Sequence, residues 1–152
     1  MGFNDLALVS PVDSKVLNRH KVIQRASGAK DVLQNANIYQ SLDKAINDHG
    51  TTIICGTGMS IDMYQTRIKR DYIEPRKFFD DLLQQQSNEE DIRLALVFGS
   101  ESLGMLDSDM DKCNIMLGIP TNPKFGSLNL SSAVQLIAYD LRMQLGWPED
   151  SC

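Results

Sequence analysis

Three short apolar runs, TTIIC (51–55), LALVF (94–98) and NIMLGI (114–119), limit what this chain can become more than any other feature. Each is too short for a stable helix and rich in branched or large apolar side chains. In TTIIC and LALVF the lack of polar alternation predicts strands buried on both faces, the usual state in a parallel sheet, and NIMLGI reads as a strand ended by Pro120. Each run is followed by a cluster of small and polar residues: GTGMS, GSESLG and PTNPKFGSLN. In open α/β sheets, ligands bind beyond the carboxyl ends of the strands. Three such clusters at three such ends predict a binding site made of loops, whose glycines let a ligand approach backbone amides and carbonyls.

Between these runs the apolar spacing becomes helical. Residues 14–27 place Val16, His20, Ile23 and Ser27 in one row, with Gly28 as a stop. Ser41 is an N-cap candidate for a helix with Asp43 in its first turn and Gly50 at its end. Pro75 suits the first turn of a helix whose apolar face carries Phe78, Phe79, Leu82 and Leu83. Asp107–Lys112 reads as a short polar turn or helix. Leu130, Ala133, Val134, Ile137, Ala138 and Leu141 keep helical spacing in a last helix that Gly146 and Pro148 terminate. DLALVS (5–10) and NIYQ (37–40) read as two more short strands, residues 60–73 as irregular chain, and QQQSNEED as a polar linker. Strands alternating with helices predict an α/β fold with a mostly parallel sheet flanked by helices. No repeat or boundary divides it, so one domain is expected over residues 1–148, with a tail at 149–152.

Composition narrows the function classes. A net charge of -5 argues against a chain that grips nucleic acid by charge alone. Cys55, Cys113 and Cys152 are an odd number and far apart, which reads as free thiols in a reducing compartment. With only His20 and His49, a His-rich metal site is out, and no metal is expected. No apolar run approaches membrane-spanning length, and MGFNDL lacks the regions of a signal peptide, so no membrane partner and a cytoplasmic or organelle-matrix location are expected.

Each loop by itself carries little. GTG alone reads as a tight turn, Glu101 as a solvated acid, and Ser127 or Asn129 as the cap of the last helix. GSESLG lacks the Lys-Ser/Thr pair of a phosphate-binding loop and the G-x-G-x-x-G of a dinucleotide site, so phosphate binding is not the natural reading.

Together the loops do carry a pattern. LVFGSESLGM (96–105) and IPTNPKFGSLNLSSAVQLIAYDLR (119–142) resemble the second and third motifs of the SpoU class of SPOUT RNA methyltransferases, in particular its TrmJ-like tRNA/rRNA 2'-O-ribose branch. The resemblance runs from Gly2 to about Trp147, with LALVSP, ASGAKDVLQNA and ICGTGMS in the family's order. It implies an α/β fold whose C-terminal segment passes through a loop as a trefoil knot, one of the few exceptions to the rule against knots. It also implies S-adenosylmethionine as cofactor, read largely by backbone groups. Carried over by motif, the cofactor contacts are Thr57, Gly58, Met59, Gly99, Ile119, Gly126, Ser127 and Leu128. Ser127 and Asn129 would face the reacting ribose, and Glu101 would help order the site. A tRNA or rRNA substrate and a homodimer through the last helix complete the implied picture.

The family's first strand, and the helix carrying its first motif with an Asn and an Arg, find no counterpart in MGFNDLALVSP. Their absence leads to the expectation of an N-terminally truncated chain. A first strand taken from inside a sheet strands backbone groups at about 1–3 kcal/mol each, against a reserve of about 5–15 kcal/mol for a domain. Arg67 and Arg25 are basic candidates for the missing Arg, although solvation is the ordinary role of such side chains. The segment holding Arg67, Lys69, Arg70, Arg76 and Lys77 is a candidate for RNA phosphates, or simply a solvated face. Two other functions stay open: a non-catalytic SAM- or RNA-binding partner subunit, and a small α/β nucleotide-binding domain.

Overall fold

A computed structural model describes residues 1–60, 70–85 and 91–147. Arg67, Lys69, most of the polar linker, Pro148, the tail and Cys152 lie outside the described residues. The chain divides into two compact units, residues 2–50 and residue 1 with 51–152.

In the first unit, β1 (Ala7–Val9) pairs in parallel with β2 (Asn37–Tyr39), Leu8 opposite Ile38. The single helix expected over residues 14–27 is broken. A 3-10 turn at Val16–Asn18 is followed by Arg19 in extended conformation, and only then by α1 (His20–Ala26). Asp13 explains the break. Its carboxylate accepts the Lys15 backbone N–H at 2.9 Å and the Arg19 guanidinium at 2.7 Å, which holds residues 13–19 in a turn. Those bonds keep the Asp13 carboxyl below the usual carboxylate range. Gly28 lies in a second 3-10 turn, Ser27–Ala29, and α2 (Lys30–Asn35) follows. Ser41 caps α3 (Leu42–Asp48), its Oγ accepting the Lys44 N–H at 3.3 Å. Behind α3 the Tyr39 hydroxyl donates to Asp48 at 2.6 Å and meets His49 Nε2 at 3.1 Å, while His49 Nδ1 lies 3.1 Å from Asp5.

The second unit holds a separate three-stranded parallel sheet of order β4-β3-β5, from β3 (Ile53–Ser60), β4 (Leu94–Phe98) and β5 (Ile115–Ile119). Strand pairing is therefore parallel as expected, but it forms two sheets rather than one. The sheet's side chains alternate with period 2. Cys55, Leu94, Leu96, Phe98, Ile115 and Leu117 pack on one face with Phe78 and Phe79 of α4 (Pro75–Gln85) and Ile137 of α6 (Leu130–Leu145). Val97 and Met116 pack on the other face with Met105 and Met110, the latter from the short α5 (Asp107–Met110). An Arg76–Asp140 ion pair at 3.1 Å also joins α4 to α6.

Two sequence expectations are corrected here. LALVF is not doubly buried; all five residues are half-buried, because β4 ends the strand order. GTGMS is not a loop after the strand but its continuation to Ser60. The pairing with β5 advances from Gly56↔Met116 to Met59↔Gly118, three steps on β3 against two on β5. That is a β-bulge at Thr57 and Gly58, and it re-aims the strand next to the candidate site.

Candidate active site

The site is assembled from the ends of β3, β4 and β5. Gly99 leaves β4 into a loop that folds back on itself: Ser100 N–H donates to Gly104 O at 3.1 Å, and Gly104 N–H to Ser100 O at 2.9 Å. Gly104 makes the turn at φ +70°, a region that favours glycine. A Cβ on Gly99 would fall 2.0 Å from the Gly104 carbonyl carbon and 2.1 Å from Met105 N. Only glycine lets the loop close this tightly. Ser100 Oγ also accepts the Leu103 N–H at 3.1 Å.

The loop after β5 is closed by similar means. Asn122 Oδ1 accepts the Lys124 N–H at 3.0 Å, starting a 3-10 turn at Pro123–Phe125. The Thr121 hydroxyl donates to Gly126 O at 3.2 Å. Asn129 then caps α6, its Oδ1 accepting the Ser131 N–H at 3.0 Å and the Ser131 hydroxyl at 2.5 Å. The two loops meet at one bond, in which Leu130 N–H donates to Glu101 Oε2 at 2.7 Å. A carboxylate at a helix N-terminus satisfies an orphan amide and complements the helix dipole.

These bonds sort the small polar residues crowding the entrance of α6. Asn129 is the cap, and among the described residues its side-chain amide N–H groups make no hydrogen bond. Glu101, from the other loop, takes the next amide. Ser127 is exposed and makes no hydrogen bond among the described residues, so its hydroxyl and amide are open to a ligand. Of the eight cofactor candidates, Gly99, Ile119, Gly126, Ser127 and Leu128 lie on the β4 and β5 ends and loops that Glu101 joins to α6. Thr57, Gly58 and Met59 lie along the bulged end of β3. Thr57 is fully buried and donates its hydroxyl to Val97 O at 2.9 Å, which ties β3 to β4 through a side chain.

The sequence reading missed the residues that shape the loops. Ser100, Gly104, Thr121 and Asn122 hold the geometry, and only the Gly104 spacing in GSESLG hinted at it. The basic segment is also changed by the fold. Arg70 donates to Met110 O at 3.2 Å and pairs with Asp111, and Arg76 pairs with Asp140. Both cations are paired with carboxylates of the same chain, Arg76 at the surface.

The second unit holds two thiols, Cys55 buried on β3 and Cys113 half-buried before β5. Burial pushes the Cys55 thiol up to about 12 and the Cys113 thiol up to about 11, so neither is a nucleophile near neutrality. Among the described residues, no cluster of His, Cys, Asp and Glu could hold a metal ion, and no helix is long and apolar enough to cross a membrane.

Residues 1–139 match the SpoU rRNA Methylase family. The tRNA (cytidine/uridine-2'-O-)-methyltransferase TrmJ of Photorhabdus laumondii is 37% identical over 143 residues, covering 94% of this chain and 54% of that protein. The Pseudomonas aeruginosa tRNA (cytidine/uridine/adenosine-2'-O-)-methyltransferase TrmJ is 34% identical over 144 residues, covering 94% of this chain and 51% of that protein. This chain thus spans about half the length of the curated relatives it matches. Among solved structures, a probable methyltransferase from Bordetella pertussis Tohama I superposes with a TM-score of 0.83 at 27% identity, covering 95% of this chain and 82% of that one. TrmJ from Z. mobilis ZM4 gives 0.75 at 28% identity, covering 97% and 60%.

Proposed function

The chain belongs to the SpoU rRNA Methylase family, and from that premise we propose that it takes part in SAM-dependent 2'-O-methylation of ribose in RNA, with tRNA as the first substrate to test. The single observation that carries this reading is the Glu101–Leu130 bond. It joins the two loops that hold both specific motif strings, so that the ends of β4 and β5 act as one site.

The residues fit the cofactor by the chemistry of their donors. Gly126, Ser127 and Leu128 form a backbone stretch at a helix entrance, with the exposed Ser127 hydroxyl among them. Gly99 and Ile119 flank it at the two strand ends, and Gly58 and Met59 line the bulged third. When bound there, S-adenosylmethionine supplies an electrophilic methyl group. Glu101 fixes the start of α6 and, through it, the loop before the helix. Ser127 and the Asn129 amide donate hydrogen bonds that orient a ribose. Holding the reacting groups in register is the main source of rate in this account. The trefoil knot that the SPOUT resemblance implies belongs to the same proposal.

A homodimer through α6 is the assembly we propose. Leu136 (46% exposed), Tyr139 (45%) and Met143 (53%) form an uncovered apolar stripe on α6, with Trp147 just beyond its end. A cavity of about 370 Å³ opens along it, lined by Met1, Ser132, Gln135, Leu136 and Tyr139.

The test is incubation of this chain with labelled S-adenosylmethionine and unmodified tRNA transcripts, followed by alkaline hydrolysis. Label in alkali-resistant dinucleotides supports the reading. Cofactor binding without label in any transcript favours the partner-subunit reading.

A further inference from the structure

Phe125 is 79% exposed, and its backbone belongs to a closed turn. It closes the 3-10 turn Pro123–Phe125, its N–H donating to Asn122 O at 2.9 Å. Asn122 Oδ1 fixes Lys124 beside it, and Thr121 fixes Gly126 after it. Pro123 presets the backbone angle of the turn. These bonds fix the backbone from which a large, exposed aromatic ring projects. Among the described residues, neither core cluster includes that ring.

Its position gives it a use. Ser127 of the candidate site is two residues on, within about 7 Å of chain. Lys124 is exposed and adjacent. An aromatic ring and a cation held side by side on a closed turn match the two needs of single-stranded nucleic acid: a face to stack a base and a charge for the backbone.

We propose that Phe125 is a stacking platform for an unpaired base at or next to the methylated nucleotide, with Lys124 holding a neighbouring phosphate. The inference deepens the reading of the loops as an RNA ribose-methylating site and rests on it. It assigns Phe125 to substrate positioning, not to the reaction itself. A protein partner on the same ring is the competing occupant, and the adjacent lysine and the nearness of Ser127 favour RNA.

The experiment compares the chain with F125A, F125L, F125W and K124A. Three quantities are measured: affinity for an unmodified tRNA transcript and for a short unstructured oligoribonucleotide, affinity for S-adenosylhomocysteine, and thermal stability. The expected result is that F125A and F125L weaken RNA binding by about 5- to 150-fold, the range for one stacked base. F125W keeps wild-type affinity and shows indole quenching on binding that the native Trp147 alone does not. K124A lowers the slope of affinity against salt by about one phosphate contact. Affinity for S-adenosylhomocysteine and melting stay unchanged throughout. Wild-type RNA affinity in F125A, full rescue by Leu, or an equal loss of cofactor affinity would each overturn the assignment. If the wild-type chain binds no RNA at all, the functional reading itself falls, an outcome distinct from the first three.

Discussion

Glu101 and Leu130 stand 29 positions apart, and one hydrogen bond of 2.7 Å joins the carboxylate of the first to the backbone amide of the second. This bond links the β4 loop to the start of α6. Glu101→Ala removes a helix-terminal acceptor and its charge, at an expected cost of about 1 kcal/mol in urea unfolding. Glu101→Gln keeps an acceptor and is expected to lose less than half of that. Equal stability in all three proteins would show that the bond is not formed in solution.

Gly99 and Gly56 are expected to respond differently to the same change. At Gly99 a methyl group meets rigid backbone at 2.0 Å, so Gly99→Ala should cost about 3 kcal/mol or abolish cooperative folding. At Gly56 it meets the sulfur and terminal methyl of Met116 at 2.6 and 2.7 Å, the flexible end of a side chain. Gly56→Ala should cost about 1 kcal/mol as Met116 shifts. Chemical denaturation of both variants checks the order.

Asn129 separates capping from catalysis. Asn129→Ser and Asn129→Asp retain a capping oxygen for Ser131, so stability should stay within about 0.5 kcal/mol of the original. Neither retains an amide N–H donor. If that donor orients the ribose, methyl transfer falls steeply in both while melting does not. A variant that keeps full activity without the amide removes Asn129 from the proposed site.

The thiols set an alkaline limit to stability. Cys55 and Cys113 are pushed up to about 12 and 11 by burial, whereas a thiol in the unfolded chain titrates near about 8.5. Their stabilising contribution is complete below the unfolded value and is lost as pH rises toward the folded ones. Urea midpoints should fall steadily from about pH 9 upward. Cys55→Ala with Cys113→Ser should flatten that slope. At about pH 8, iodoacetamide should modify half-buried Cys113 before fully buried Cys55.

Some of this was legible in the sequence because the signal is local. Apolar runs marked β3, β4 and β5; Ser41 and Pro75 marked helix starts; and spacing from Leu130 to Leu141 marked the buried stripe of α6. The motif strings brought Glu101, Ser127 and Asn129 to notice. What escaped depends on contacts distant in sequence. Nothing in GTGMS reveals that β5 will extend the ladder past Gly56 and force a bulge. Asp13 breaks a helical pattern by reaching Arg19, a competition that periodicity does not register. Arg70 reads as a free cation until Asp111 is placed beside it. The division into two sheets is likewise a matter of pairing partners, which apolar runs do not specify.

The central claim is that the ends of the three strands form one S-adenosylmethionine site. The most direct test is thermal unfolding of the chain with and without S-adenosylhomocysteine, repeated on Glu101→Ala. At about 100 times its dissociation constant, the ligand should add about 2.7 kcal/mol to the folded state, raising the melting temperature, and the shift should shrink at the same ligand concentration when Glu101 is removed. An unchanged melting temperature at millimolar ligand, with the chain cooperatively folded, would contradict the account.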